Sequence, residues 1–354
     1  MEKIVIGMSG GVDSSVAAYL LKEQGYDVIG VTMQVWKDAE QNAEDEDTDI
    51  QAVADAKRVA AQLGIPHYTL NFKPTFEKHV VDYFVQEYLQ GRTPNPCNVC
   101  NRYVKWEALL KRAREFGAEK IATGHYARVV KLENGRYALK KSATDAKDQN
   151  YALCNLTQEQ LAATKMPLGE YTKDEIRAIA AKAGIEVANK PDSQEICFIP
   201  DHDYAAFIEQ RTGGKVPPAG NFVSPDGEVL GQHKGIIHYT IGQRKGLGVA
   251  FGKPVFVSEI RPETNEVVLG DNEDIFRTEL YAGKLNWMSV AAPENGMALQ
   301  AKIRYAHKGA PCRVYPASDG RVRVVFEQSQ RAITPGQAIV FYDGDIVAGG
   351  GTIL

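Results

Sequence analysis

The first fourteen residues contain residue types that can bind a phosphate. The apolar run Ile4–Ile6 predicts a short buried strand, and Val16–Leu21 predicts a helix. Between them lies the sequence SGGVDS, residues 9–14. Glycines allow the backbone to approach an anion closely, and a helix start offers unpaired N–H groups and a positive dipole end. Ser9 and Ser14 add hydroxyl donors, so this segment predicts an anion cradle.

The cradle lacks the lysine that reaches the β- and γ-phosphates in a Gly-x4-Gly-Lys-Ser/Thr loop. Its pattern instead resembles the pyrophosphate loop of the ATP pyrophosphatases, which attach AMP to an oxygen and release pyrophosphate. Two roles are open for Asp13: it ligates Mg²⁺, or it favours the helix N-terminus. The resemblance implies that ATP is held by Gly7, Met8, Ser9, Gly10, Gly11, Val12, Asp13 and Ser14.

Three cysteines form a second group of residues with chemical potential. Cys97 and Cys100 follow two prolines, which predicts a fixed turn that enters the next helix. A helix N-terminus stabilises a thiolate and lowers the thiol pKa below its usual value of about 8.5. A Cys-x-x-Cys pair alone does not distinguish zinc, iron–sulfur and redox chemistry. Cys197 lies in another loop that follows a helix.

Strand-like and helix-like segments alternate over the first two hundred residues. The predicted strands are Val28–Met33, His67–Leu70 and Lys120–Gly124, and the predicted helices are Ile50–Gly64, Pro74–Gln90 and Lys105–Phe116. This alternation predicts an α/β fold with a doubly wound parallel sheet. Ligands of such sheets lie beyond the carboxyl ends of the strands. The loops after Ile6, Val31 and Thr123 are therefore expected to converge on the nucleotide.

The composition changes along the chain and predicts three domains. A catalytic domain is expected over residues 1–199, a small central domain over 200–271, and a C-terminal antiparallel β-barrel-like domain over 272–354. Within the first domain, Asp38–Asp49 is rich in acids and predicts a solvated loop.

The global composition limits the class of protein. A formal charge of −4 excludes a globally basic protein, so a nucleic-acid partner requires a local contact face. An odd number of cysteines in 354 residues does not fit a secreted disulfide framework, and Cys154 and Cys312 are predicted to be packed thiols. Neither a signal peptide nor a membrane-spanning run is recognised. The expected location is the cytoplasm, with no membrane partner.

Six motifs occur in one order along the chain: SGGVDS, TPNPxxxCN, ATGHYA, KDQNY, PDSQEICF and GQHKGIIHYTIGQRKGLG. Together they resemble the tRNA-specific 2-thiouridylase family, and the similarity extends from residue 5 to about residue 340. The resemblance implies an ATP-dependent tRNA-uridine 2-sulfurtransferase that makes 2-thiouridine at the wobble position. It also implies partners: tRNAs for lysine, glutamate and glutamine, and a persulfide donor such as a cysteine desulfurase or a sulfur carrier protein.

The resemblance assigns roles to further residues. Met33 and Gly124 are expected to border the adenine and ribose of ATP, and Asn95, Pro96 and Cys97 to line the target base. The residues expected to contact tRNA are His125, Lys147, Asp148, Gln149, Arg304, Tyr305 and Gln337. Asp192 is a candidate for positioning the loop of Cys197.

Replacement of a uracil oxygen by sulfur requires two chemical steps. A uracil oxygen becomes a leaving group when it is adenylated, with Mg²⁺ bridging the phosphate oxygens. A sulfur nucleophile must then attack the activated carbon. In the persulfide route implied by the family, Cys197 carries the terminal sulfur. Cys100 attacks to release that sulfur, which leaves a Cys100–Cys197 disulfide.

One position departs from the family. Members often carry aspartate where this chain has Cys97, so this chain has a trio of Cys97, Cys100 and Cys197. The trio resembles the three-cysteine iron–sulfur site of related tRNA thiolases, which leaves one iron free to hold sulfide. The alternatives to the persulfide route are therefore a cluster-dependent thiolase, an amide-forming ligase of the same superfamily, and an RNA-binding iron–sulfur protein without turnover.

The variant Cys97→Asp separates the cluster from the persulfide route. If a cluster acts, the variant loses iron and thiolation together because two cysteine ligands remain. If the persulfide route acts, the variant restores the residue common in the family, and thiolation persists or rises. The measurement is 2-thiouridine formation with iron and sulfide analysis, with and without oxygen. An active variant without iron excludes the cluster.

Overall fold

A five-stranded parallel sheet forms the centre of the N-terminal part of the chain. The computed structural model describes residues 1–35, 46–144, 147–185, 196–249 and 252–354, and the side chains of residues 46–50 are not described. The sheet order is β3-β2-β1-β4-β7. Its strands are β1 (Lys3–Gly7), β2 (Asp27–Gln34), β3 (His67–Asn71), β4 (Lys120–Ala122) and β7 (Thr164–Lys165). The predicted doubly wound parallel sheet is confirmed.

Alternate residues of β1 face the two sides of this sheet, and both sides are covered. Ile4 and Ile6 pack with α1, α2 and α9, whereas Val5 packs with the helices on the opposite side. All three side chains are fully buried. The α-helices are α1 (Val12–Glu23), α2 (Glu46–Leu63), α3 (Lys73–Phe76), α4 (Asp82–Leu89), α5 (Pro96–Cys100), α6 (Leu109–Glu115), α7 (Asn150–Leu153), α8 (Gln158–Ala162), α9 (Lys173–Lys182) and α10 (Tyr204–Thr212).

Two long helices contain π-helical turns. The segment Glu77–Val81 joins α3 to α4, and Asn101–Ala108 joins α5 to α6. The segment α3, its π-helical turn and α4 form one continuous helix. The segment α5, its π-helical turn and α6 form another, which runs from Pro96 to Glu115. Single turns of 3₁₀ helix occupy Pro167–Glu170, Ile236–His238, Asn272–Ile275 and Ser318–Gly320.

The central part of the chain forms a small mixed sheet of order β10-β11-β8-β9. Its strands are β8 (Gly220–Val223), β9 (Val229–His233), β10 (Phe256–Arg261) and β11 (Glu266–Gly270). β8 and β11 are parallel, and the other two pairs are antiparallel. Phe222 and Tyr239 are buried in its core.

The C-terminal strands form a closed antiparallel barrel. The order is β12-β15-β14-β13-β16-β17, and β12 also pairs with β17, which closes the ring. The strands are β12 (Phe276–Trp287), β13 (Met297–Lys302), β14 (Ala310–Pro316), β15 (Val322–Arg331), β16 (Ala338–Asp343) and β17 (Ile346–Ile353). The hairpin β5 (Arg128–Lys131) and β6 (Tyr137–Lys140) attaches to β17 through Ile346 and Lys140.

Three details differ from the sequence prediction. The helix expected from Lys105 begins at Pro96, because proline at the first helical position suits a helix start. Both cysteines of the Cys-x-x-Cys pair therefore lie inside the helix. The acidic loop expected over Asp38–Asp49 is helical from Glu46 onward, and its residues 38–45 lie outside the described part of the chain. The β5–β6 hairpin was not predicted, although Asn134-Gly135 in its turn is a typical hairpin signal.

Asp192 also lies outside the described residues. Within the described ranges, none of the helices combines the length and apolar character needed to cross a membrane.

Candidate active site

The predicted anion cradle lies where the sheet order reverses its direction. β2 and β3 follow β1 on one side, and β4 lies on the other side, so the carboxyl ends of β1 and β4 flank a crevice. In the loop, the Ser9 amide donates to Ser14 Oγ at 3.1 Å, and the two hydroxyl oxygens lie 3.3 Å apart. Gly11 caps α1 with no side-chain partner for the helix start. The first N–H groups of α1 therefore keep capacity for an anion.

Two glycines let other segments approach the loop. Gly10 has a φ of +72°, and a Cβ at this position would lie 2.3 Å from the Ala52 carbonyl oxygen of α2. A Cβ on Gly124 would lie 2.7 Å from the Ser14 nitrogen. The loop after β4 thus packs directly on the start of α1. Gly124 acts here by allowing this close approach between two backbones.

Met33 also reaches the loop. Its terminal methyl group would lie 3.3 Å from a Cβ on Gly7, and a Leu109 methyl group would lie 3.7 Å from the same Cβ. Leu109 belongs to the helix that carries Cys97 and Cys100. The cysteine helix therefore packs against the root of the pyrophosphate loop. The structure brings together the loop, Met33 and Gly124, which are the residues predicted to bind ATP.

Asp13 has partners that the sequence did not indicate. Lys173 Nζ lies 2.8 Å from each carboxylate oxygen of Asp13, and the Tyr126 hydroxyl donates to Oδ1 at 2.7 Å. The Lys173 side chain is 10% exposed, so this ion pair is partly shielded from water. Lys173 is the first residue of α9, after a capping box formed by Thr172 and Glu175. The capping box predicts the helix start, but nothing local predicts its meeting with Asp13.

Cys97 and Cys100 occupy different environments on one helix. Asn95 is the N-cap and Pro96 the first helical residue, and Cys97 is exposed on the first turn. Cys100 lies one turn later and is buried. Burial raises the pKa of the Cys100 thiol to about 12, and Lys105 lowers it by a smaller amount. The prediction of a lowered thiol pKa was therefore wrong for Cys100, because burial disfavours the thiolate more than Lys105 stabilises it.

Phe198 anchors the position of Cys197. The Phe198 ring makes edge contacts with Phe76 and Phe84 at centroid distances of 5.6 and 5.4 Å. It is 3% exposed, whereas the adjacent Cys197 is exposed. The packed phenylalanine therefore fixes the chain beside an accessible thiol.

The three cysteines of the trio influence one another electrostatically. Cys197 and Cys97 each raise the pKa of the Cys100 thiol, as smaller causes than its burial. Over the described residues, however, no three His, Cys, Asp or Glu side chains are arranged to hold a metal ion. The trio does not fit an iron–sulfur cluster as it stands, because a cluster requires its thiolates to converge on one site.

The other two cysteines are packed thiols, as predicted. Cys154 is fully buried, and a Cβ on Gly350 would lie 2.8 Å from its sulfur. Cys312 is also buried, in the barrel core. Burial raises the pKa of each thiol to about 12.

His125 lies at the end of the fourth strand, between the loop and the cysteine helix. Its Nδ1 lies 2.8 Å from Thr123 Oγ1, and its ring packs against Trp106 at a centroid distance of 5.4 Å. Desolvation lowers the pKa of His125 well below its usual range, with a smaller contribution from Lys105. The imidazole is therefore neutral near pH 7, and it can act as a hydrogen-bonding group rather than as a cation.

Two groups of predicted tRNA contacts meet across a domain boundary. The Tyr305 hydroxyl donates to the Asp148 carbonyl oxygen at 3.3 Å, and Tyr305 is 54% exposed. The Asp148 carboxylate accepts bonds from the Ser142 and Asn150 amides, although burial raises its pKa. Gln149 Oε1 accepts from the Tyr126 amide at 2.9 Å. Asp148 and Gln149 thus shape the segment that presents Lys147.

Gln337 and Arg304 contact protein backbone. Gln337 Nε2 donates to the carbonyl oxygens of Thr93 and Pro94 at 2.9 and 3.3 Å. Arg304 Nη1 donates to the Arg331 carbonyl oxygen at 2.9 Å. The Gln337 contact joins the barrel to Thr93 and Pro94, which directly precede the residues predicted to line the target base.

Comparisons with known proteins agree with this arrangement. Residues 2–201 match a family described as the tRNA methyl transferase HUP domain, and residues 205–271 match the tRNA methyl transferase PRC-barrel domain. Residues 277–353 match the aminomethyltransferase beta-barrel domain. These three matches follow the parallel sheet, the small mixed sheet and the closed barrel.

Full-length relatives carry a more specific name. The chain is 64% identical to the tRNA-specific 2-thiouridylase MnmA of Lachnoclostridium phytofermentans, with 100% of both chains covered. It is 54% identical to the protein of that name from Clostridioides difficile, covering 99% of this chain and 98% of the relative. A solved 4-thiouridine synthetase–RNA complex with bound ATP aligns with 19% identity and a TM-score of 0.36, over 60% of this chain and 50% of that one.

Thiol labelling tests the environments of the cysteines. In the native protein at about pH 8, iodoacetamide is expected to alkylate Cys97 and Cys197 well before Cys100, because Cys100 is buried and stays protonated far below a pKa of about 12. Peptide mass spectrometry measures each rate, and labelling in denaturant provides the control in which the three rates converge. Equal native rates for Cys100 and Cys97 would contradict the assigned burial.

Proposed function

Because the chain belongs to the tRNA-specific 2-thiouridylase family, a family of ATP-dependent tRNA sulfurtransferases, we propose that it forms 2-thiouridine at the wobble position of tRNA with persulfide sulfur. One observation carries the proposal for the site. The helix that bears Cys97 and Cys100 packs on the root of the pyrophosphate loop through Leu109. Adenylation and sulfur transfer therefore have their residues on neighbouring elements.

The first step uses the loop. The residues proposed to bind ATP are Gly7–Ser14, with Met33 and Gly124 beside the adenine and ribose. The uracil 2-oxygen attacks the α-phosphate, and pyrophosphate leaves. Mg²⁺ neutralises charge on the phosphate oxygens when it is bound. The ammonium of Lys173 adds a fixed positive charge beside Asp13. The loop sequence itself contains no positively charged residue.

The second step uses the thiols. We assign the terminal sulfur of a persulfide to Cys197, which is exposed and can accept sulfur from a donor protein. Cys100 attacks the inner sulfur, which forms a Cys100–Cys197 disulfide and releases sulfide toward carbon 2 of the base. AMP then leaves. A thiol reductant must restore Cys100 and Cys197 for the next turnover.

The tRNA side of the site is also a proposal. Asn95, Pro96 and Cys97 line the flipped base, which an anticodon loop provides at reduced cost because it is single-stranded. The proposed tRNA contacts are His125, Lys147, Asp148, Gln149, Arg304, Tyr305 and Gln337.

We expect the substrates to be the tRNAs for lysine, glutamate and glutamine. We expect the sulfur donor to be a cysteine desulfurase or a sulfur carrier protein, and the location of the protein to be the cytoplasm. The proposed domains are residues 1–199, 200–271 and 272–354.

Pyrophosphate release tests the adenylation step. The wild type is expected to release AMP and pyrophosphate and to form 2-thiouridine only with a tRNA that has a wobble uridine. The same tRNA with cytidine at that position provides the control. Nucleoside mass spectrometry and a pyrophosphate assay measure the products. Turnover with the cytidine tRNA would contradict the assigned base.

The variants Ser9→Ala, Asp13→Asn and Lys173→Met test the loop. Pyrophosphate release is expected to fall about a hundredfold for Lys173→Met, since charge stabilisation at a transferring phosphoryl group is lost. The tRNA affinity is expected to be unchanged, because the loop and the RNA contacts are separate. Lys182→Met, at the exposed end of the same helix α9, is the matched control. Normal pyrophosphate release in Asp13→Asn and Lys173→Met would remove the ion pair from the mechanism.

A further inference from the structure

The segment Gly91–Asn95 is held by two other domains at once. It leads directly into Pro96 and the cysteine helix, so its position sets the position of Cys97. On one side lies the mixed sheet of the central domain, and on the other side lies the barrel. The long motif GQHKGIIHYTIGQRKGLG in the central domain, residues 231–248, has no role in the chemistry described so far.

The barrel supplies three hydrogen bonds and one close backbone contact. The Thr93 amide donates to the Pro335 carbonyl oxygen at 2.9 Å, and Gln337 Nε2 donates to the Thr93 and Pro94 carbonyl oxygens. Gly336 has a φ of +90°, and a Cβ there would lie 3.0 Å from the backbone N, C and O atoms of Thr93. Only glycine allows this approach without strain.

The central domain supplies the opposite contact. Thr240, inside the long motif, places its hydroxyl oxygen 3.0 Å from the Thr93 hydroxyl oxygen. A Cβ on Gly91 would lie 2.8 Å from Ile260 and 3.0 Å from Pro262, so this domain also packs closely on the start of the segment.

Thr240 is itself fixed. Its amide donates to Gln243 Oε1 at 3.0 Å, and the preceding Tyr239 is 2% exposed in the core of the central domain. The Tyr239 ring contacts Phe222 edge-on at a centroid distance of 5.2 Å. The motif therefore builds a fixed turn that directs the Thr240 hydroxyl toward Thr93.

We propose that Thr240 and Gln337 are positioning residues that clamp Thr93–Pro94 between the central domain and the barrel, and so hold the Asn95–Cys97 segment in register with the target base. This inference rests on the proposed tRNA thiolation. It gives the long central motif a function: the motif orients the loop of the active site. It also gives Gln337 a second contact besides tRNA, through which the barrel and the loop are coupled.

The test compares two substitutions of Thr240. Thr240→Val removes the hydroxyl and keeps the shape, and Thr240→Ser keeps the hydroxyl. The single-turnover rate of 2-thiouridine formation is expected to fall about fivefold in Thr240→Val, the loss of one neutral hydrogen bond that matters in the reacting geometry. The tRNA Kd is expected to stay within about twofold, and Thr240→Ser is expected to restore the rate. Thr212→Val, which removes a hydroxyl bond within α10, is the matched control.

A double-mutant cycle with Thr93→Val locates the effect. If the hydroxyl contact carries it, the double variant is no slower than either single variant, because both changes remove the same interaction. Rates that fall independently and multiply would overturn the clamp. A tRNA Kd that weakens as much as the rate would also overturn it, because the residue would then act by binding RNA.

Amide hydrogen exchange gives a readout that does not depend on turnover. The Thr93 amide is expected to exchange about fivefold faster in Thr240→Val than in wild type or Thr240→Ser, since the segment opens more often. Unchanged exchange would overturn the clamp even for an active enzyme. If the wild type forms no 2-thiouridine, the proposed function fails, whereas faster exchange in Thr240→Val still supports the clamp.

Discussion

Backbone polar groups that are covered by protein must find hydrogen-bond partners, and this requirement governs the short segment before the cysteine helix. Thr93 and Pro94 lie between two domains, where water is largely replaced by protein. Their amide and carbonyl groups are satisfied by Pro335 and Gln337 of the barrel. The same contacts hold the two residues that lead to Asn95 and Pro96, where the helix starts. The arrangement of three domains thus converges on the residues next to the proposed target base.

The charged groups at the SGGVDS loop are also brought together by contacts between distant segments. The loop SGGVDS offers amides and hydroxyls but no cation. Lys173, the first residue of α9, brings an ammonium group to Asp13 in this loop. A partly shielded ion pair is costly to break one partner at a time. The pair therefore ties the loop that is proposed to bind phosphate to the first turn of α9.

The thiols show how burial sets reactivity. Cys97 is exposed on the first helical turn, whereas Cys100, one turn later, is desolvated. A pKa of about 12 keeps Cys100 protonated in this state. In the proposed persulfide route Cys100 must lose that proton before it attacks, so the route requires a lower pKa of this thiol when the substrates are bound.

The sequence by itself determined the parallel sheet, the glycine-rich loop between the first strand and the first helix, and the identity of the candidate cysteines. These features depend on local patterns: apolar runs, glycines after a strand, and prolines before a helix. The convergence of the loops after Ile6, Val31 and Thr123 could also be predicted, because carboxyl ends of parallel strands share one edge. The roles of Met33 and Gly124 came from the family resemblance. The tertiary structure alone decided that Lys173 meets Asp13 across 160 positions of sequence, that Gln337 holds the Thr93 backbone, and that Cys100 is buried. Contacts between distant segments and the loss of solvent around a side chain arise only when domains pack, so no local pattern contains them.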